Sequence, residues 1–367
     1  NIAGVALAIS IAGPGSIFWM WITAIIGIAT KFFTCTLSVM YREKNQEGQV
    51  FGGPMYVIKN GLPRKMLPLA YFFAIAGMIG CLPAFQSNQL IQITGDLAFS
   101  DIENFNVYGG LALASITGIV VIGGLKRIAE VASYLVPFMG SIYFGAMLIA
   151  IFLNLELVVP AFKLIFIDAF NGTAIAGGTF IGVLIYGVRR GAFSNEAGMG
   201  TESLVHGVAK VSNPVKQGLV AMTGPIFDTL IICTATALII LISGVWETST
   251  SQGVTLTSEA FNLLLGDLGG FILFACVICF GLSTIFTYSY YGATCARFIF
   301  GSFGMNFYIY LYIIGIFIYS IVPIDIAINI ADGAFAMMAI PTLISALWLA
   351  PKVMQESRNY FKLINNI

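Results

Sequence analysis

Charge is what this chain has least of. Only 9% of its 367 residues are Asp, Glu, Lys or Arg, against about a quarter in a soluble domain, so a water-soluble fold is excluded. The 17 basic and 17 acidic residues cancel, which removes the basic footprint that a nucleic-acid partner would need. There is one histidine, His206, and the six cysteines (Cys35, Cys81, Cys233, Cys276, Cys279 and Cys295) lie inside apolar runs that no polar loop draws together. Neither a zinc site nor a disulfide framework is expected. Cys276 and Cys279 form a CxxC, but at helical spacing in an apolar segment, where small packing residues are the simpler reading. No Ser/His/Asp set, P-loop or dinucleotide fingerprint occurs. An enzyme is therefore not expected, and no organic cofactor is implied.

What remains is apolar: 58% of residues are hydrophobic and the mean hydropathy is +0.93. The pattern starts at Asn1 with no signal peptide before it. The expectation is that the natural N-terminus is missing.

A spanning helix needs about 20 mostly apolar residues. Ten segments qualify: 2–12 (cut short), 17–40, 67–94, 107–123, 132–154, 173–205, 219–244, 268–296, 306–322 and 334–350. The runs are too long and non-alternating for strands, so the fold class is an all-α polytopic membrane protein. Loops on one side hold Arg42, Lys44, Lys59, Arg64, Lys65, then Lys126 and Arg127, then Lys210, Lys216 and Arg297, then Lys352, Arg358 and Lys362. The positive-inside rule makes that side cytoplasmic, together with the C-terminus. The other side holds Asp96, Asp101 and Glu103, then Glu156 and Asp168, then Glu247, Glu259 and Asp267, then Asp325 and Asp332, with Lys163 as the only cation. One transmembrane domain, 1–367, accounts for everything. It divides into a first repeat of about 1–154, a second of about 173–350 and a short tail, 351–367, the five-plus-five pattern of an inverted-repeat transporter.

The sixth segment carries most of the chemistry. Between Gly187 and Ser203 it reads GVRRGAFSNEAGMGTES. Each charge at membrane depth costs about 2.5–3.5 kcal/mol, so this stretch is expected to be a broken helix lining a cavity, with a short cytoplasmic loop as the alternative. Arg189 and Arg190 would pair with Glu196 or Glu202 in an inner gate, or form a plain ion pair at the cytoplasmic end. Asn1-Ile-Ala-Gly4 echoes Asn195-Glu-Ala-Gly198 at the corresponding place in the other half, as expected of two discontinuous helices around a midplane site. Asp228, alone in an apolar run, is either ion-linked or a helix cap.

These residues carry a resemblance. GPGSIFWMWITAIIGIATKF (Gly13 to Phe32), YREKNQEGQVFGGPMYVIKNGL (Tyr41 to Leu62), GGLKRIAEVASYLVPFM (Gly123 to Met139), RRGAFSNEAGMGTES and MAIPTLISAL (Met338 to Leu347) resemble the alanine or glycine:cation symporter family, also called the sodium:alanine symporter family. The likeness runs nearly end to end, and FSNEAGMG (Phe193 to Gly200) is its most specific string. It implies a LeuT-type five-plus-five inverted repeat with broken first and sixth core helices, within the amino acid-polyamine-organocation superfamily. It also implies uptake of small neutral amino acids with Na⁺ as the co-transported ion, across the plasma or bacterial inner membrane.

By the same resemblance Asn1 lies near both substrate and Na⁺. Gln86 faces the substrate, or makes a helix-to-helix hydrogen bond. Gly191, Phe193, Ser194 and Asn195 form the unwound sixth helix, with Phe193 as lid or wall. Ser283 and Thr284 complete the Na⁺ site, or only bond back to their own helix. Tyr288 lines the pocket where the family usually has a tryptophan. Thr34 stands where it usually has a glutamate, and Ala293 where it has an acidic residue. Two alternatives stay open beside a Na⁺ symporter: a proton-coupled or passive facilitator, and a transport-inactive fragment.

Overall fold

The computed structural model describes residues 1–46, 48–171 and 179–365, so 173–178 of the sixth expected segment and 366–367 of the tail lie outside it. Among the described residues the chain is helical almost throughout. The exception is a two-residue hairpin, β1 (Glu43–Lys44) antiparallel to β2 (Val50–Phe51). Runs with period-two alternation are absent from the sequence, and apolar stretches of this length satisfy their backbone groups in lipid only as helices.

In chain order come α1 (Ala3–Ala12), α2 (Ser16–Met40), the hairpin, α3 (Pro54–Gly61), α4 (Leu67–Gly80), α5 (Ala84–Ala98), α6 (Phe105–Val121), α7 (Gly124–Leu153) and α8 (Leu155–Asn171). The later helices are α9 (Phe180–Asn195), α10 (Thr201–His206), α11 (Pro214–Ala221), α12 (Thr223–Pro225), a π-helical stretch Ile226–Cys233, α13 (Thr234–Ser243), α14 (Val245–Thr248), α15 (Val254–Leu265), α16 (Asp267–Ile321) and α17 (Ile324–Asn365). Each of the ten apolar segments falls on one or more of these helices. Six helical stretches are long and apolar enough to cross a bilayer, and Ala3–Ala12, Phe105–Val121 and Val254–Leu265 are shorter apolar helices. The stretch from 64 to 98 turns at Cys81–Pro83, and α16 kinks at Gly301, where φ is +67°. Large apolar side chains such as Phe303, Tyr134 and Leu347 are exposed on the outside, as a lipid-facing surface requires. The molecule is a multi-pass membrane protein.

Small residues set the crossing that frames the site. A Cβ at Gly187 would stand 2.4 Å from the Ser16 carbonyl oxygen, and one at Gly191 would stand 3.0 Å from the Thr23 Cβ. Helices α2 and α9 therefore pack backbone to backbone, the usual device for tight association in lipid. At the turn before α2, the Gly15 N–H donates to the Asp168 carboxylate of α8 at 2.7 Å. Asp168, expected in an outer loop, thus anchors α8 over the start of α2.

Two expectations are corrected here. Gly191 to Asn195 is not unwound: α9 runs helically through Asn195, and the break comes afterwards, at Glu196–Gly200. Glycine's freedom acts there rather than earlier, since Gly198 and Gly200 hold φ of +81° and +89°. Nor do Arg189 and Arg190 meet Glu196 or Glu202. Arg190 forms an ion pair with Asp332 of α17, and Arg189 lies 3.6 Å from the same carboxylate. The reason is that neutral donors already occupy both glutamates, as described below, while Asp332 lies within α17 instead of in an outer loop.

Candidate functional site

The break begins where Glu196 caps α9. Its backbone is left-handed (φ +57°), and its N–H still donates to the Ala192 carbonyl at 2.9 Å. A non-glycine residue in that region costs about 1–2 kcal/mol, so surrounding contacts hold it. Its carboxylate accepts from the Tyr288 hydroxyl on α16 and the Thr201 hydroxyl at the start of α10, each at 2.8 Å. Glu202, one residue further, accepts from the Gly200 N–H at 3.1 Å and from the Thr34 hydroxyl of α2 at 2.8 Å. An anion in the first turn of a helix also answers the positive end of the helix dipole. Thr34 is thus the donor that keeps Glu202 tied to α2.

A cavity of about 330 Å³ opens between the first residues of the chain, α5, the end of α9, the π-helical stretch and α16. Of the residues singled out by sequence, Asn1, Gln86, Phe193, Ser194, Ser283, Thr284 and Tyr288 all line it. Gly191 and Asn195 do not. Gly191 is consumed by the crossing with α2, and Asn195 is buried against α2, its Oδ1 accepting from the Ala197 N–H at 3.0 Å. Gln89, Glu196 and Asp228 complete the polar lining.

Of the two alternatives for Asp228, the structure removes the helix cap, because helical backbone continues through Thr223–Pro225 into the π-helical stretch that carries this residue. Its carboxylate instead accepts from the Asn1 side-chain amide at 2.5 Å, from the Ser194 hydroxyl at 2.5 Å and from the Thr229 hydroxyl at 3.2 Å. Ser194 also stands 2.9 Å from the Asn1 Oδ1, so one hydroxyl proton serves two acceptors. Asn1 Oδ1, Ser194 Oγ, Thr229 Oγ1 and the Asp228 carboxylate thereby come together from three elements. π-Helical turns recur at functional sites because they widen a helix locally, and this one carries the carboxylate.

Ser283 and Thr284 donate to the Phe280 carbonyl of their own helix at 3.0 and 2.9 Å. Each oxygen keeps lone pairs that a cation could use, so the back-bond does not exclude an ion role. No hydrogen bond links Asn1 to this pair; its partners are Ser194 and Asp228.

Aromatic rings close one side. Phe193 packs edge-on against Phe85 (centroids 5.5 Å apart) and Phe335 (5.4 Å), with the Arg190 guanidinium 5.3 Å from its ring centre. On the far side of Phe193 lies a second cavity of about 470 Å³ between α9 and α17. Tyr288 is buried, 5.4 Å from Tyr291 and edge-on to Phe335 at 6.3 Å. Among the described residues no Lys, Arg or His side chain lines the first cavity.

Sequence reasoning left Glu196 without a place in the pocket and Asp228 undecided. The signal for Asp228 was its isolation in an apolar run. For Glu196 it was membership of the FSNEAGMG string, in which its neighbours drew the attention.

Known proteins resemble the chain over its whole length. A profile of the sodium:alanine symporter family matches residues 1–366. The uncharacterized transporter YflA of Bacillus subtilis is 37% identical, with 98% of this chain and 77% of that protein aligned. The sodium/alanine symporter AgcS of Methanococcus maripaludis is 36% identical (100% and 82%), and the probable sodium/glutamine symporter GlnT of Bacillus subtilis is 35% identical (98% and 75%).

Proposed function

Because the chain belongs to the sodium:alanine symporter family, and is accordingly a sodium-dependent amino acid transporter and not an enzyme, we propose that it carries small neutral amino acids, alanine and glycine, inward with Na⁺ by alternating access. The observation that carries this reading is the charge of the cavity: two carboxylates, Glu196 and Asp228, amides and hydroxyls, and no basic side chain. Buried charge without a partner is costly. A neutral zwitterion brings one ammonium and one carboxylate and leaves the net charge unchanged, so each sodium ion that binds with it cancels one of the two protein carboxylates. A volume near 330 Å³ lies at the small end of ligand pockets, about 300–1,000 Å³, and suits a short side chain.

In this scheme the oxygens of Asp228, Asn1 and Ser194 form one cation site, and Ser283 with Thr284 contributes a second set of hard oxygen ligands. Gln86 meets the substrate, and Phe193 is the wall that must move. The two repeats, about 1–154 and 173–350, rock around the break in the LeuT manner, with the basic loops and the C-terminus in the cytoplasm. One charge crossing 100 mV contributes about 2.3 kcal/mol to the cycle.

The test is uptake of labelled alanine and glycine into proteoliposomes under an inward Na⁺ gradient, compared with an equal K⁺ gradient. Concentrative uptake with Na⁺ alone supports the proposal. Uptake driven by a proton gradient, or uptake that only equilibrates, would replace Na⁺ coupling by proton coupling or passive facilitation.

A further inference from the structure

We propose that Glu196 is the residue that receives the ammonium group of the substrate, with Tyr288 and Thr201 positioning its carboxylate; this rests on the amino acid transport proposed above.

Three features converge on Glu196. First, its backbone is one of only two non-glycine positions at positive φ among the described residues, the other being Asn104. That conformation stops α9 at the cavity and leaves Glu196 among the lining residues. Second, its carboxylate has no partner at ion-pair distance among the described residues; the buried Lys31 ammonium of α2 acts on it only from beyond that distance. The ion pairs among the described residues are Lys59 with Glu43, and Arg189 and Arg190 with Asp332. Its two hydrogen bonds come from neutral hydroxyls, Tyr288 and Thr201. A carboxylate offers about four acceptor sites, so two remain for an incoming donor with up to three N–H groups. Third, the other cavity carboxylate is differently furnished. Asp228 is ringed by Asn1, Ser194 and Thr229, whose own oxygens can turn to a bare cation. Glu196 has two hydroxyls, Tyr288 and Thr201, and no amide oxygen beside it, which suits a cation that brings its own directional donors.

The arrangement also assigns Tyr288. Its hydroxyl is spent on Glu196, so the phenol presents ring, not a polar group, to the substrate side chain. It acts as a positioning residue, fixing the carboxylate that holds the ammonium.

The experiment is titration calorimetry of the purified protein at saturating Na⁺ with alanine and with propionate, which lacks the amine. In parallel, Na⁺ alone is titrated against thermal stability. For Glu196→Gln the expected result is alanine affinity weaker by about 10- to 100-fold, the worth of one charged hydrogen bond, with the preference for alanine over propionate largely erased and the Na⁺ midpoint unchanged. Tyr288→Phe and Thr201→Val keep the carboxylate but loosen it; each should weaken alanine by about three- to tenfold, about 0.6–1.4 kcal/mol on the tenfold-per-1.4 scale, without moving the Na⁺ midpoint. Alanine binding by Glu196→Gln within about twofold of wild type would overturn the inference while sodium-coupled transport stood. Should Glu196→Gln not fold, unchanged alanine affinity in both positioning variants would overturn it instead. Wild-type protein that binds alanine equally well without Na⁺ would instead refute the coupling, with Glu196 still judged by its variants. Wild-type protein that binds no amino acid at all would end both.

Discussion

Two charged clusters interrupt the same short stretch of chain, and they are built on opposite plans. At Arg190 the charge is answered inside the protein: the residue is 3% exposed, its guanidinium paired with Asp332 and lying over Phe193. Six residues on, Glu196 receives only neutral hydroxyls, as does the Asp228 carboxylate apart from the Asn1 amide. In the first cluster the Arg190–Asp332 pair tightens the contact between α9 and α17, while the half-exposed Arg189 shares the same carboxylate. The second has no basic side chain at ion-pair distance among the described residues, Lys31 acting on it only from beyond that distance, which is the property a cation-driven carrier would need at its binding site. Charge inside a membrane protein is thus not one kind of signal; what distinguishes structure from function is whether the protein itself supplies the counter-charge.

If that distinction holds, removing one partner should hurt the two clusters in different ways. The largest effect belongs to Asp332→Ala, which strands a buried guanidinium: a stability loss of about 3–5 kcal/mol is expected, read as a large fall in melting temperature in detergent. Replacing both partners, Arg190→Met with Asp332→Leu, should restore stability to within about 1 kcal/mol of wild type. A double variant as unstable as the single one would show that the pair does more than cancel charge.

Next comes Asp228→Asn, which keeps the shape and removes the charge. It should raise the Na⁺ concentration for half-maximal uptake by about 10- to 100-fold, the loss of one charge-assisted contact, while the melting temperature without Na⁺ stays level or rises. A fall in stability comparable to that of Asp332→Ala would erase the contrast. Gly191→Val tests the frame that holds both clusters. A branched side chain at the α2 crossing, where even a Cβ would lie 3.0 Å from Thr23, should cost about 1–3 kcal/mol by overpacking. Thermal unfolding followed by tryptophan fluorescence would measure it, and tolerance of valine would mean that α9 is free to shift. The smallest effect is expected of Thr284→Val, about threefold on the Na⁺ midpoint, since its hydroxyl is one oxygen among several and is already bonded to its own helix.

Much of this was legible beforehand. Long apolar runs with few charges admit only helices, and the polar string from Gly187 to Ser203 was expected to hold a break lining a cavity, with a cytoplasmic loop as the alternative, because a lipid-facing helix does not tolerate it. The place of the break was not legible. Gly191 lies in the same glycine-rich string as Gly198 and Gly200, yet its lack of a side chain serves a helix crossing, whereas theirs serves the turn. Asn195 likewise carries the amide that sequence pairs with Asn1, but the helical phase of α9 turns it toward α2.

What the sequence determined by itself was the solvent, the secondary structure and the identity of the chemistry-bearing residues, because these follow from local composition and from the cost of unpaired backbone in lipid. Family membership also rests on strings of residues such as FSNEAGMG. Only the tertiary structure decided the partners. Asp332 meets Arg190 across 142 positions, and Asp228 meets Asn1 across 227. Side-chain pairing over such separations depends on helix phase, crossing points and the kinks at Glu196 and the π-helical stretch, none of which is written in the spacing of residues along the chain.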